Sequence, residues 1–167
     1  MCNDVVEVEA LAANTSRQVR TYGFSANADV RAEEVRQQGG RMHYTLCLPD
    51  GTRTPFTLAL PGRHNVQNAL AAAAVGWQLG VSPQNIAAAL EKFAGIGRRF
   101  NQLATLQLEG GGEVALVDDY GHHPKELAAV FAAARGGWPE KRLVVAFQPN
   151  RYTRTRDLFD EFAAVLS

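Results

Sequence analysis

Residues 114–124 read Val-Ala-Leu-Val-Asp-Asp-Tyr-Gly-His-His-Pro, a short apolar run that turns polar and ends in proline. An unbroken apolar stretch of this length matches a strand buried on both faces, as in parallel sheets. Proline fits the first turn of a helix, so the spacing predicts a helix from Pro124 to Arg135, closed by Gly136-Gly137. Leu143-Val144-Val145-Ala146-Phe147 then repeats the apolar pattern, and Arg156 to Leu166 reads as a second helix. The order is βαβα, and the right-handed crossover rule places the two strands in parallel in one sheet.

Working outward toward the N-terminus, Leu103 to Leu108 and the turn Gly110-Gly111-Gly112 precede this unit. Gly95-Ile96-Gly97-Arg98-Arg99 is the candidate domain boundary, because two glycines interrupt the pattern just before it changes type. Upstream of it, Ser82-Pro83 reads as an N-cap followed by proline in the first turn of a helix with Ile86, Leu90 and Phe93 on one face. Another helix carries Val66, Ala69 or Leu70, Ala73 and Trp77 at helical spacing until Gly80. Before Pro61-Gly62, the segments Val19 to Phe24, Ala28 to Val35, Arg41 to Leu48 and Thr52 to Leu60 read as strands of a small antiparallel sheet. Pro49-Asp50-Gly51 is the strongest hairpin signal, since Asp-Gly supplies the positive φ that tight hairpin turns need. Residues 5 to 13, with Val5, Val6, Val8, Leu11 and Ala12, suggest a short helix. The fold class is α/β, a small antiparallel sheet with two helices followed by the βαβα unit.

The 167 residues are 46% hydrophobic and 20% charged, a globular composition that argues against disorder. Basic and acidic side chains balance at 17 each, so nothing draws the whole chain to nucleic acid or to an anionic membrane. An anionic ligand must be held locally. Cys2 and Cys47 match neither a disulfide framework nor a metal-ligand spacing and are expected to be free thiols in a reducing cytoplasm. The N-terminus has no basic region followed by an apolar stretch, and the apolar run from Ala69 to Trp77 is too short to span a bilayer. A cytoplasmic chain with no membrane or nucleic-acid partner is expected.

In an open parallel sheet, ligands bind beyond the carboxyl ends of the strands. That rule selects Asp118-Asp119-Tyr120-Gly121-His122-His123 and Gln148-Pro149-Asn150-Arg151-Tyr152-Thr153-Arg154, which would share one rim. Carboxylates, a phenol and imidazoles would face guanidinium groups there, a set suited to an anionic substrate whose proton state matters. Taken singly, each part has a plainer explanation as a solvated turn or surface charge. A second cluster opens the helix at His64, where His64, Asn65 and Asn68 point to nearly one side of the first turn beside Arg63. An amide offers a donor and an acceptor that match an adenine edge, and an N-cap with a buried amide explains the same residues equally well.

Four ordered runs then carry a resemblance: Pro61 to Ala69, Gly97-Arg98-Arg99-Phe100, Asp118 to Pro124, and Phe147 to Asp157. In this order and spacing they resemble successive motifs of the Mur ligase family over nearly the whole chain, most weakly in residues 1 to 20 and 101 to 113. The resemblance implies that residues 1–98 are the last portion of a central ATPase domain and 99–167 the first portion of a Rossmann-like C-terminal domain. It also implies ATP and Mg2+ as cofactors. Asp-Tyr-Gly-His-His-Pro and Arg-Tyr-Thr-Arg-Thr-Arg-Asp resemble the branch that joins L-alanine to UDP-N-acetylmuramate, and the murein tripeptide ligase is the relative to exclude.

By that resemblance His64, Asn65 and Asn68 would lie near adenine, Arg99 at the nucleotide phosphates, Asp119 at the ribose hydroxyls and Tyr120 beside the adenine pocket. His122, Arg151 and Arg154 would face the sugar-linked carboxylate and L-alanine, and Arg99 and His122 would be the catalytic pair. Two departures stand out. Asn150 sits where the family commonly has His, and the chain's lysines, Lys92, Lys125 and Lys141, follow Glu, Pro and Glu, so there is no Gly-Lys-Ser/Thr phosphate loop. The Mg2+ ligands are likewise expected outside this chain, which should be inactive by itself. Two other readings stay open, a metal-dependent hydrolase using Asp118, Asp119, His122 and His123 and a non-catalytic nucleotide-binding module. An uncovered strand edge would also favour self-association.

Overall fold

A computed structural model describes residues 1–4 and 6–167 and divides into two units, residues 1–94 and 95–167. The first unit runs α1 (Val6–Ala13), β1 (Tyr22–Gly23), β2 (Val30–Gln38), β3 (Arg41–Cys47), β4 (Arg53–Leu58), α2 (Arg63–Gln78) and α3 (Pro83–Lys92). Its sheet has the order β1-β2-β3-β4. The β3–β4 register is set at the turn, where Gly51 has φ 85° and the Asp50 carboxylate accepts from the Thr52 amide at 2.9 Å. Alternation along β3 sends Met42, Tyr44 and Leu46 into the core, while His43 pairs across the other face with Thr57, Nδ1 to Oγ1 at 3.1 Å. Helix α2 lays Val66, Ala69, Leu70 and Ala73 into the same core, and α3 adds Ile86. Burying side chains such as Leu46, Leu58 and Leu70 contributes about 1.5–3 kcal/mol each, which makes this the stability centre of the unit.

Two details differ from the expectations. The sheet is not wholly antiparallel, because β1 is short and pairs parallel with β2, Tyr22 opposite Val30. Asp29 fixes that connection by accepting from the Thr21 amide at 2.8 Å and its hydroxyl at 2.9 Å. Phe93, expected on the buried face of α3, is 43% exposed, since the helix ends at Lys92 and Phe93 turns extended at ψ 109°. The Ser82 cap does form, accepting from the Asn85 amide at 3.3 Å. The helix expected from residue 5 begins with Val6 among the described residues, Val5 lies outside them, and Leu11 is exposed.

The second unit contains β5 (Asn101–Gln107), β6 (Glu113–Asp118), α4 (Pro124–Gly137), α5 (Tyr152–Asp157) and α6 (Phe159–Leu166). Strands β5 and β6 form an antiparallel pair. Leu127 and Ala133 of α4 and Phe162 of α6 are buried, Phe162 stacks on Phe147 at 5.6 Å, and Phe100 stacks on Trp138 at 6.1 Å. The expected parallel pairing of 114–117 with 143–147 does not form. Among the described residues, 143–147 make no main-chain hydrogen bond, and Val144 is 74% exposed. Strands pair only about 4.8 Å apart. Here the two runs line a common apolar cavity of about 640 Å³ together with Leu127, Phe131 and Trp138. The last helix also differs, starting at Tyr152 and breaking at Leu158, whose φ and ψ of −118° and 25° leave the helical region.

Candidate active site

Strand β6 delivers its last residue, Asp118, beside Arg98, with Oδ2 3.4 Å from Nε. The Arg98 guanidinium lies 5.0 Å from the centre of the Tyr120 ring, and the Tyr120 amide donates to the Arg98 carbonyl at 2.7 Å. Asp119 uses both oxygens on the main chain, Oδ2 accepting from the Phe100 amide at 2.7 Å and Oδ1 from the Gly121 amide at 2.6 Å. These contacts hold the Arg98-Arg99-Phe100 segment against the end of β6. They also hold it in an uncommon shape, because Arg98 and Phe100 have φ of 61° and 45°. Non-glycine residues at positive φ are costly and persist only where the surroundings over-determine them.

The turn that follows is organised by a carboxylate that sequence reasoning did not single out. Glu126 Oε2 accepts from the His122 amide at 2.9 Å and the His123 amide at 3.1 Å, while Oε1 lies 3.6 Å from Nη1 of Arg99. His123 caps the same helix by accepting from the Lys125 amide at 3.2 Å, so His123-Pro124-Lys125-Glu126 is a capping box with histidine in the place usually held by serine or threonine. That spacing was the available signal. Partial burial pushes the Glu126 carboxyl up, but the two amides and the charges of His122 and Arg99 outweigh it and hold it below its ordinary range. His122 turns its Nδ1 to the Tyr120 carbonyl at 2.9 Å and meets the Tyr120 ring edge-on at 5.0 Å.

From the second loop, Arg154 reaches this turn, Nη1 donating to the His122 carbonyl at 3.5 Å. Arg151 precedes α5 at φ 68°, and no hydrogen bond or ion pair joins its guanidinium to the turn among the described residues. Asp119, Tyr120, His122, Arg99 and Arg154 therefore come together, and Arg151 stands apart. In the first unit, Asn65 spends its amide on the Pro61 carbonyl at 2.7 Å, the helix-start explanation, while His64 is half-buried and Asn68 exposed. Arg63 lies over the Phe24 ring at 4.0 Å.

The chemistry on offer is anion binding. Arg98, Arg99 and Arg154 bring positive charge to one turn, suited to phosphate or carboxylate oxygens. A metal centre is not built here: among the described residues no three His, Cys, Asp or Glu side chains gather to hold an ion. Asp118 faces Arg98 and His123 caps α4, so two of the four residues of the hydrolase reading are engaged elsewhere.

Comparison with known proteins adds three kinds of finding. The Mur ligase middle domain matches residues 2–76, and the Mur ligase glutamate ligase domain matches residues 98–167. The chain is 71% identical over all 167 residues to the UDP-N-acetylmuramate–L-alanine ligases of Xanthomonas euvesicatoria and Xanthomonas campestris, and spans 35% of their length. Among solved structures, MurC of Thermotoga maritima matches 87% of this chain and 37% of its own at TM-score 0.70 and 24% identity, a likeness of fold. MurF of Acinetobacter baumannii matches 84% of this chain and 28% of its own at TM-score 0.62 and 28% identity. A murein peptide ligase of Psychrobacter arcticus matches 90% of this chain and 31% of its own at TM-score 0.58 and 26% identity.

Proposed function

Because the chain belongs to the Mur ligase family, we propose that it supplies one wall of the cleft in which an ATP-dependent ligase joins L-alanine to UDP-N-acetylmuramate. The observation that carries this reading is the single turn at the end of β6 where Arg99, His122 and Arg154 meet, in a chain so similar along its whole length to ligases of that name. On this reading residues 1–98 end the central ATPase domain and 99–167 begin the C-terminal domain.

The reaction proceeds in two steps. A lactyl carboxylate oxygen bonds to the γ-phosphorus of ATP as the bond to ADP breaks. The amine of L-alanine then attacks the acyl carbon, loses a proton, and inorganic phosphate leaves. Arg99 stabilises charge on the phosphates, and His122, Arg151 and Arg154 face the carboxylates; fixed charge at the developing anion is the main catalytic contribution such groups make. Each Asp119 oxygen accepts one amide and keeps a second lone pair for a ribose hydroxyl. Tyr120 borders adenine. Magnesium, when bound, neutralises phosphate charge; its ligands are not gathered among these residues. Among the described residues no helix is long and apolar enough to cross a membrane, and a cytoplasmic location fits the soluble substrates of the proposed reaction.

Without a phosphate loop the chain alone should not turn over. The test is a graft in which these 167 residues replace the matching stretch of the Xanthomonas euvesicatoria ligase. The graft is expected to release ADP only with both L-alanine and UDP-N-acetylmuramate, and the isolated chain to release none. ADP release by the isolated chain, or a folded graft that binds UDP-N-acetylmuramate without turnover, contradicts the proposal. Acceptance of a tripeptide in place of L-alanine would move the chain to the murein peptide ligase branch.

A further inference from the structure

We propose that Glu126 is a positioning residue for the ligase reaction, holding the Arg99 guanidinium and the His122 turn in one fixed relation. The inference rests on the function proposed for Arg99. Glu126 is the only residue whose two oxygens reach both parts, among the described contacts: Oε1 faces Arg99 at 3.6 Å, and Oε2 takes the amides of His122 and His123 at 2.9 and 3.1 Å. Arg99 needs such a partner. Its side chain is 53% exposed and long, and nothing about exposure alone would aim it. The backbone beneath it is already fixed, since Arg98 and Phe100 on either side are held at positive φ by the Tyr120 amide and the Asp119 carboxylate. Glu126 adds the missing restraint at the side-chain end, so that the cation and the imidazole-bearing turn move as one body.

A purely structural role as the second half of the α4 capping box would need the same hydrogen bonds, so the test separates charge from capping. Glu126→Gln keeps an oxygen that accepts the two amides but removes the charge facing Arg99. In the graft described above, Glu126→Gln is expected to lower kcat about tenfold, the scale of a modest loss of orientation, while leaving KM for UDP-N-acetylmuramate unchanged. Arg99→Ala is expected to lower kcat further, and in that background Glu126→Gln should change it less than about twofold, because coupled residues are non-additive. Equal losses from Glu126→Gln with and without Arg99 would show that the carboxylate acts through another group, such as His122 at 3.8 Å, and overturn the inference. So would full activity of Glu126→Gln. A silent Arg99→Ala would overturn the role of Arg99 itself and the inference with it. Thermal melting of each variant confirms that the comparison is among folded proteins.

Discussion

Leu46 and Leu116 both lie inside strands, yet Leu46 is fully buried and Leu116 is 45% exposed. The difference is not in the residues but in what lies beside them. Leu46 belongs to a four-stranded sheet covered by α2 and α3, whereas Leu116 belongs to a two-stranded pair whose remaining edge looks into the apolar cavity shared with residues 143–147. A strand is buried only when both its edge and its face find partners. The first unit meets that condition, and the second has a firmly held turn attached to a two-stranded sheet.

The sharpest way to break this contrast is to remove equal side chains from the two units. Leu70→Ala, at a fully buried site, should cost the first unit about 3–4 kcal/mol, and Leu116→Ala should cost the second less than about 1 kcal/mol. Trp77 and Trp138 lie one in each unit, so urea titration followed by tryptophan fluorescence in Trp77→Phe and Trp138→Phe backgrounds reads the units separately. Equal losses would mean that the second unit has a core as complete as the first.

A smaller effect comes from acid. The Glu126 carboxyl is held below its ordinary value of 4.5 in the folded chain, so its contribution is fully present above that pH and fades as pH falls through the lowered value. The urea midpoint reported by Trp138 should therefore fall on acidification below pH 4.5, and Glu126→Gln should flatten that fall. A Glu126→Gln profile parallel to the parent would show that the carboxylate stabilises nothing in the turn.

The same contrast explains which parts of the molecule were legible in sequence. Asp50-Gly51, the alternation of Met42, Tyr44 and Leu46, and the Ser82-Pro83 helix start are local signals, and each appears where it was expected. Residues 143–147 have the composition of a buried strand, but composition does not name a partner, and pairing is a long-range property. The break at Leu158 and the parallel β1 have no local sequence signal that we recognise. At the site, the strand-end rule selected Asp119, Tyr120, His122 and Arg154, which do meet. It passed over Glu126, whose part is visible only when the capping box is read as more than a helix start. For Asn65 the helix-start explanation holds, its amide donating to the Pro61 carbonyl.

Within the second unit the contacts around Arg99 and His122 are fixed and the sheet beside them is not, a contrast with two halves. Native-state hydrogen exchange on the isolated chain measures both halves of it at once. The amides of Phe100, Gly121, His122 and His123, each held by a carboxylate, should be protected, and those of residues 143–147 should exchange close to unprotected rates. Protection across 143–147 equal to that of β3, or free exchange at the four carboxylate-held amides, would contradict it.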